Sequence, residues 1–333
     1  AMTAVYFGFT YIGELNFGHY GAGITLFAGL FILILAPEFY QPLRDLGTFY
    51  HAKQQAVGAA ESIVEFLETD ITKVKSGDSQ LDPAQSINIE AQDLKVLSPE
   101  GVQLVGPISF ALNTCQSTAL VGPSGAGKTS LINAILGFMP YEGSLKINGI
   151  ELRDLDLASW RKTISWVGQN PLLLHGSIRD NVTLGKQDIT DQTVQNALDQ
   201  SFASEFVNEH GLDYMISDRS GGLSVGQSQR LALARAMIQD GQFWLLDEPT
   251  ASLDTRSEQL VMKGINSNIE SRTALLVTHQ LAPLQSVDNI MVMRDGGLVE
   301  QGHYSQLSTA GGLFEEMLNA NLAQQDNKGN LDA

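Results

Sequence analysis

The stretch GPSGAGKTS, Gly122–Ser130, constrains the fold more than any other part of the chain. It follows an apolar run, STALV, and opens the apolar, periodic stretch KTSLINAILG. A strand that enters a glycine loop and leaves as a helix is the context in which such a loop holds phosphate. Loop and helix N–H groups point at the anion, Lys128 adds a positive charge, and Thr129 offers a hydroxyl to Mg²⁺. The candidate phosphate contacts are therefore Gly122, Pro123, Ser124, Gly125, Ala126, Gly127, Lys128, Thr129 and Ser130. The motif predicts an α/β domain, and INIEA (from Ile87) and SLKINGIEL fit as strands, the latter a hairpin turning at Asn148-Gly149.

Many enzymes share that loop, so the second half of the domain has to discriminate. FWLLDEP, Phe243–Pro249, reads as a buried strand ending in two carboxylates. Asp247 is placed to hold Mg²⁺ beside the phosphate loop, and Glu248 to accept a proton from an attacking water. TALLVTHQ is a second buried strand, and it delivers His279 to a strand's carboxyl end, where ligands of parallel sheets gather. Between the two lies LSVGQSQRLALARAM, Leu223–Met237. Its periodicity predicts a helix packed through Leu231, Leu233, Ala234 and Met237, with Ser224 as N-cap and an anion-seeking start.

Composition narrows the class. Charged residues make up 17% of the 333, below the roughly 25% of soluble domains. The net charge of −17 argues against a nucleic-acid partner. The single cysteine, Cys115, excludes an internal disulfide and fits a reduced, cytoplasmic face. Charge is missing from Leu15 to Pro37, and about Tyr20 to Phe39 predicts a transmembrane helix; a buried core helix is one alternative reading, and a signal peptide's apolar region, which fits poorly with no basic residue before the run, is another. Residues 1–13 look like the end of a preceding span. Arg44 and Lys53, the first basic residues, place the following end in the cytoplasm. Leu43, Leu46, Tyr50, Val57, Ala60, Ile63, Val64 and Leu67 then continue a helical face into a stalk reaching about Glu68, with Pro37 and Pro42 kinking its start. The stretch from Lys75 to Ser86 reads as a linker, and the polar tail from residue 320 to 333 as disordered.

Taken together, residues 87–319 resemble the nucleotide-binding domain of the ATP-binding cassette (ABC) transporter family. Gly122–Thr129 is similar to its Walker A motif, Gln169 in WVGQNP to its Q-loop, and Leu223–Gln227 to its signature. Phe243–Asp247 is similar to Walker B, Ser252-Leu253-Asp254 to the D-loop, and His279 to the switch histidine. The resemblance implies an α/β P-loop ABC ATPase domain, with a mixed sheet and a helical subdomain. Residues 1–74 would precede it as the last membrane helix and stalk of an exporter subunit. It implies ATP and Mg²⁺ as cofactors, with Lys128, Thr129, Asp247 and Gln169 around Mg-ATP, and Glu248, His279, Lys128 and Gln169 in catalysis. Ser224 and Gly226 would meet the nucleotide of a second, head-to-tail domain.

LAPEFYQPLRDLGTFYHA and the signature resemble the CydD-type subunits of bacterial exporters. These sit in the cytoplasmic membrane among lipid, pair with CydC-type subunits, and are linked to cysteine and glutathione export and cytochrome bd assembly. Two departures stand out. The signature reads LSVGQ where most relatives have LSGGQ. No aromatic residue lies between Ile87 and Pro107, where the resemblance implies an adenine-stacking ring near Ser98. A soluble ABC ATPase would share every motif after Ile87, and a non-ABC P-loop kinase only the first.

Overall fold

The computed structural model describes residues 26–68, 76–186, 188–217, 222–251, 253–269 and 272–329. The chain divides after Ile71 into two compact units.

The first unit is described through one helix, α1 (Leu26–Glu68), which contains Pro37 and Pro42 and ends where the periodicity predicts. At 1.5 Å per residue its 43 residues span roughly 65 Å. The apolar side chains Leu43, Leu46, Tyr50, Val57, Ile63, Val64 and Leu67 along it are exposed. Among the described residues no helix is long and apolar enough to cross a membrane. The expected span starts at Tyr20, outside the described residues, and only its part from Leu26 onward is seen.

The second unit opens with β1 (Ile89–Leu97), β2 (Gln103–Leu112), β3 (Ser117–Val121), α2 (Lys128–Ile135), β4 (Tyr141–Ile147), β5 (Ile150–Glu151), α3 (Leu157–Lys162) and β6 (Ile164–Val167). A mainly helical stretch follows: β7 (Gly176–Ser177), α4 (Ile178–Thr183), α5 (Asp191–Gln200), α6 (Ser204–His210), β8 (Met215–Ile216) and α7 (Val225–Gln239). Then come β9 (Phe243–Asp247), α8 (Thr255–Ile269), β10 (Thr273–Val277), β11 (Asn289–Arg294), β12 (Gly297–Gly302), α9 (Tyr304–Leu307) and α10 (Leu313–Gly329).

The central sheet has the order β12-β11-β3-β10-β9-β6, parallel except for β12. Its inner strands bury both faces, which explains their unbroken apolar runs. Alternation then divides their side chains between two cores. Val121, Trp244, Leu246, Ala274 and Leu276 face the core that includes α7 and the helical stretch. Leu120, Phe243, Leu245, Leu275 and Val277 face α2, α3 and a second, antiparallel sheet, β2-β1-β4-β5. The expected hairpin is β4–β5, and Asn148 and Gly149 turn it with φ of 50° and 81°, the left-handed pair a two-residue turn requires.

Two segments differ from their sequence reading. Residues 76–81, expected within a linker, dock on the domain. The Gly77 N–H donates to Leu155 O (2.9 Å), Ser79 N–H to Asp154 O (3.0 Å) and Asp156 N–H to Ser79 O (2.8 Å). The Leu157 N–H donates to the Ser76 hydroxyl (3.0 Å), and Leu81 is buried. The polar part of the run, Ser76–Ser79, meets backbone groups of the domain, and Leu81 packs in its core. Beyond it, Trp160 of α3 donates through Nε1 to Ile135 O at the end of α2 (2.8 Å), and Arg161 to Leu136 O and Gly137 O. The tail, expected to be disordered from residue 320, is helical as far as Gly329. NLAQQDNK contains neither proline nor a β-branched residue, so nothing local stops the helix begun by the packed Leu313 and Phe314.

Candidate functional site

Four adjacent strands of the parallel sheet, β3, β10, β9 and β6, end on one side, and each delivers a candidate residue there. β3 runs into Gly122–Ser130, β9 ends in Asp247 and Glu248, β10 leads to His279, and β6 leads to Gln169. The strand ends are tied to each other, Glu248 N–H donating to Val277 O (2.8 Å) and Thr278 N–H to Leu120 O (3.3 Å). A pocket of about 510 Å³ results, lined by Gly122, Ser124–Ser130, Gln169, Asp247, Glu248, Val277 and His279.

The loop is shaped by contacts that only glycine permits. Gly127, the residue before α2, has φ 94°, and a Cβ there would stand 2.6 Å from Val105 Cγ2. Its backbone is thereby pressed against β2, leaving the first turn of α2 with donors free for an anion. Lys128 Nζ folds back to donate to Gly122 O (2.8 Å) and Pro123 O (3.0 Å). Burial lowers the Lys128 ammonium from its ordinary value, and Glu248 and Asp247 oppose that shift. Burial raises the Asp247 carboxyl, Glu248 raises it further, and Lys128 lowers it. Both shifts say the same thing: charge is concentrated here out of full contact with water.

Glu248 sits at φ 47°, in the left-handed region. Side chains other than glycine rarely adopt it, and such strain concentrates at functional positions. Gln169 Nε2 donates to Glu248 Oε2 (2.9 Å), and His279 Nδ1 stands 3.4 Å from the same oxygen. The chain after β6 is held by Gln229 of α7, whose amide donates to Gly168 O (3.1 Å).

Of the residues expected from sequence, Pro123 contributes its carbonyl to Lys128, while Ser224 and Gly226 lie outside this pocket. Helix α7 does start at Val225 with Ser224 as N-cap, and Leu231, Leu233, Ala234 and Met237 are buried. The Ser224 hydroxyl accepts from Gln227 N–H (3.2 Å), and the Gln227 side chain accepts from Ser224 N–H (2.8 Å), a closed capping box. Gly226 is buried, and a Cβ on it would meet Ser257 Oγ at 2.5 Å. The Ser252 position lies outside the described residues. Sequence reasoning missed Val277 in the pocket wall and Asn321, whose side-chain amide donates to His279 O (3.4 Å) from the tail helix.

Residues 105–251 match the family model described as ABC transporter. These residues carry the α/β ATPase domain of the ABC transporter family, with its mixed sheet and helical stretch. Over 320 residues it is 54% identical to the glutathione/L-cysteine transport system ATP-binding/permease protein CydD of Escherichia coli (strain K12), a match covering 96% of this chain and 54% of that protein. It is 49% identical over 321 residues to the transport ATP-binding protein AarD of Providencia stuartii, again covering 96% of this chain and 54% of that one. The chain thus spans about half the length of these relatives. Among solved structures, a bacterial Atm1-family ABC exporter with ATP bound shares the fold at a TM-score of 0.71 and 24% identity, over 96% of this chain and 57% of that one.

Proposed function

We propose that the chain binds and hydrolyses Mg-ATP to drive export across a bacterial cytoplasmic membrane, as one half of a two-subunit transporter. The observation that carries this reading is the arrival of Lys128, Asp247, Glu248, His279 and Gln169 in one pocket from four neighbouring strand ends. The loop N–H groups and Lys128 hold the phosphates. The Thr129 hydroxyl and the Asp247 carboxylate are hard oxygen donors of the kind Mg²⁺ prefers, and Gln169 adds an amide oxygen within the same wall. The metal, when bound, neutralises charge on the transferring phosphoryl group. Glu248 accepts a proton from the attacking water and His279 steadies the γ-phosphate.

Gln169 holds one oxygen of Glu248 through its amide, which leaves the other to face the attacking water and makes Gln169 sensitive to what Glu248 meets. That links nucleotide arrival to movement of the chain after β6. Ser224 and Gly226, outside this pocket, serve the nucleotide of a second domain. The names of the relatives favour cysteine or glutathione as cargo, and the resemblance to CydD-type subunits makes a CydC-like subunit the partner in this reading. In this reading residues 1–74 are the membrane-proximal helix and stalk, 75–86 the connection, and 87–319 the ATPase.

Inside-out membrane vesicles containing the chain and its partner subunit test the proposal. ATP-dependent accumulation of labelled glutathione or cysteine, absent with Glu248→Gln, is expected. ATP hydrolysis without accumulation of either would overturn the assignment of cargo. Absence of hydrolysis would overturn the ATPase itself.

A further inference from the structure

A second cleft, of about 310 Å³, lies away from the phosphate pocket and is lined by residues of α6, α7 and α8. Its centre is an unusual charge arrangement. Arg230 of α7 is more than nine-tenths buried, yet its guanidinium lies 3.9 Å from the Glu205 carboxylate of α6. It also donates to Phe202 O (2.7 Å) and Gly226 O (3.4 Å), and lies 5.3 Å from the Phe206 ring centroid. The other oxygen of Glu205 accepts from Arg256 of α8 at 3.1 Å. One carboxylate therefore joins two guanidinium groups from two different helices.

The same two helices meet a second time at their first turns. The backbone at Gly226 lies against Ser257, leaving no room for a Cβ, and the Ser257 N–H donates to the Asp254 carboxylate (3.0 Å). The start of α7, with Ser224, and the start of α8, with Asp254, are thus clamped at the Gly226–Ser257 contact and at the Glu205 bridge.

We propose that Glu205, Arg230 and Arg256 are positioning residues: their bridge fixes the start of α7 to the start of α8, so that Ser224 and the Leu253–Asp254 turn meet a second nucleotide-binding domain as one rigid surface. The inference rests on the reading that these two segments face a partner. Stability alone is a poor account of the bridge, because an exposed pair such as Glu205–Arg256 contributes little. Geometry is a better one, since a displacement of about 1 Å remote from the chemistry can cost about a hundredfold in rate. The buried Arg230 also holds Phe202 O and the end of the α7 cap, so its removal would disturb the fold. The informative changes are therefore Glu205→Gln and Arg256→Ala.

The test uses the full-length subunit co-purified with its partner half-transporter in detergent or nanodiscs. ATP affinity, melting temperature, kcat and KM are measured for the parent, both single variants, the double variant and Arg256→Lys. Glu205→Gln is expected to lower kcat of the assembled pair roughly tenfold, with KM, ATP affinity and melting temperature unchanged. The double variant should be no worse than Glu205→Gln, since both remove one interaction, and Arg256→Lys should retain much of the rate. A parent-like kcat for Glu205→Gln in a pair that hydrolyses ATP faster than the isolated subunit would overturn the bridge's role. A matching loss of melting temperature and ATP affinity would do the same, by showing a merely structural part. If the parent gains no rate from its partner, the underlying two-domain reading fails, and this inference with it.

Discussion

Gln169 and Glu248 are joined across the phosphate pocket, the amide donating to carboxylate Oε2 at 2.9 Å, with His279 reaching toward the same oxygen. Glu248→Gln keeps a polar partner for both neighbours and so leaves the pocket intact, but it removes the carboxylate that would take the proton from the attacking water. Hydrolysis is expected to fall by about 10²–10⁴-fold, with Mg-ATP affinity unchanged. Phosphate release and equilibrium nucleotide binding measured on the same preparation check this; hydrolysis at the parent rate would rule out the role given to Glu248.

Lys128 makes the opposite kind of contribution. Its ammonium donates to Gly122 O and Pro123 O, and so braces the loop that cradles the phosphates. Hydrogen bonds to charged groups are worth about 1.5–3 kcal/mol, so Lys128→Ala should weaken ATP binding by roughly ten- to a hundredfold. Titration with a fluorescent ATP analogue reads the loss directly, before turnover is considered.

Asp247 gives a pH dependence of defined sign. Its carboxyl is raised by burial and then by Glu248, against the pull of Lys128. The native protein therefore holds this proton more tightly than the unfolded chain does. The stability contributed by the group is fully present below the unfolded aspartate value, about 3.9, and is lost as pH rises through the higher native value. Asp247→Asn removes that loss. The nucleotide-free variant should melt above the parent at neutral pH, and the gap should close as the pH is lowered toward the acid range, while Mg-ATP affinity drops. A variant that melts lower than the parent at pH 8 would contradict the burial argument.

The nucleobase should be read weakly. At the place where an aromatic ring is implied, Ser98 closes a turn, its hydroxyl accepting from Val102 N–H (3.2 Å) and its own N–H donating to Val102 O (2.7 Å). Without a ring, about 1–3 kcal/mol of stacking is absent. GTP is expected to compete with ATP within about tenfold, the lower part of that range. Competition binding decides it, and a hundredfold preference for ATP would mean that a ring reaches the base from elsewhere.

The fold's framework was legible because its strands are apolar on both faces and its turns carry their own chemistry. STALV, FWLLD and TALLV announce buried parallel strands, and Asn148-Gly149 announces its hairpin. The pocket followed, since residues at the ends of such strands converge whatever their separation along the chain. Contacts that join distant polar residues left no such trace. Nothing in the runs around Glu205, Arg230 and Arg256 signals that one carboxylate will serve two arginines. Ser224 was readable as a cap, but the reciprocal bond from its N–H to the Gln227 side chain was not. Polarity likewise suggested freedom for residues 76–81 and for the tail, but it does not report backbone hydrogen bonds, which tie Gly77 and Ser79 to the domain and continue the helix to Gly329.

The docking of residues 76–81 has a mechanical consequence. Any load reaching Ser76 meets the hydrogen bonds that Ser76, Gly77 and Ser79 make to Asp154, Leu155, Asp156 and Leu157. Those residues lead directly into α3, and Trp160 and Arg161 of α3 grip the last carbonyls of α2 and the turn after it. A tug on this strand is delivered to the far end of the same helix whose first residue is Lys128.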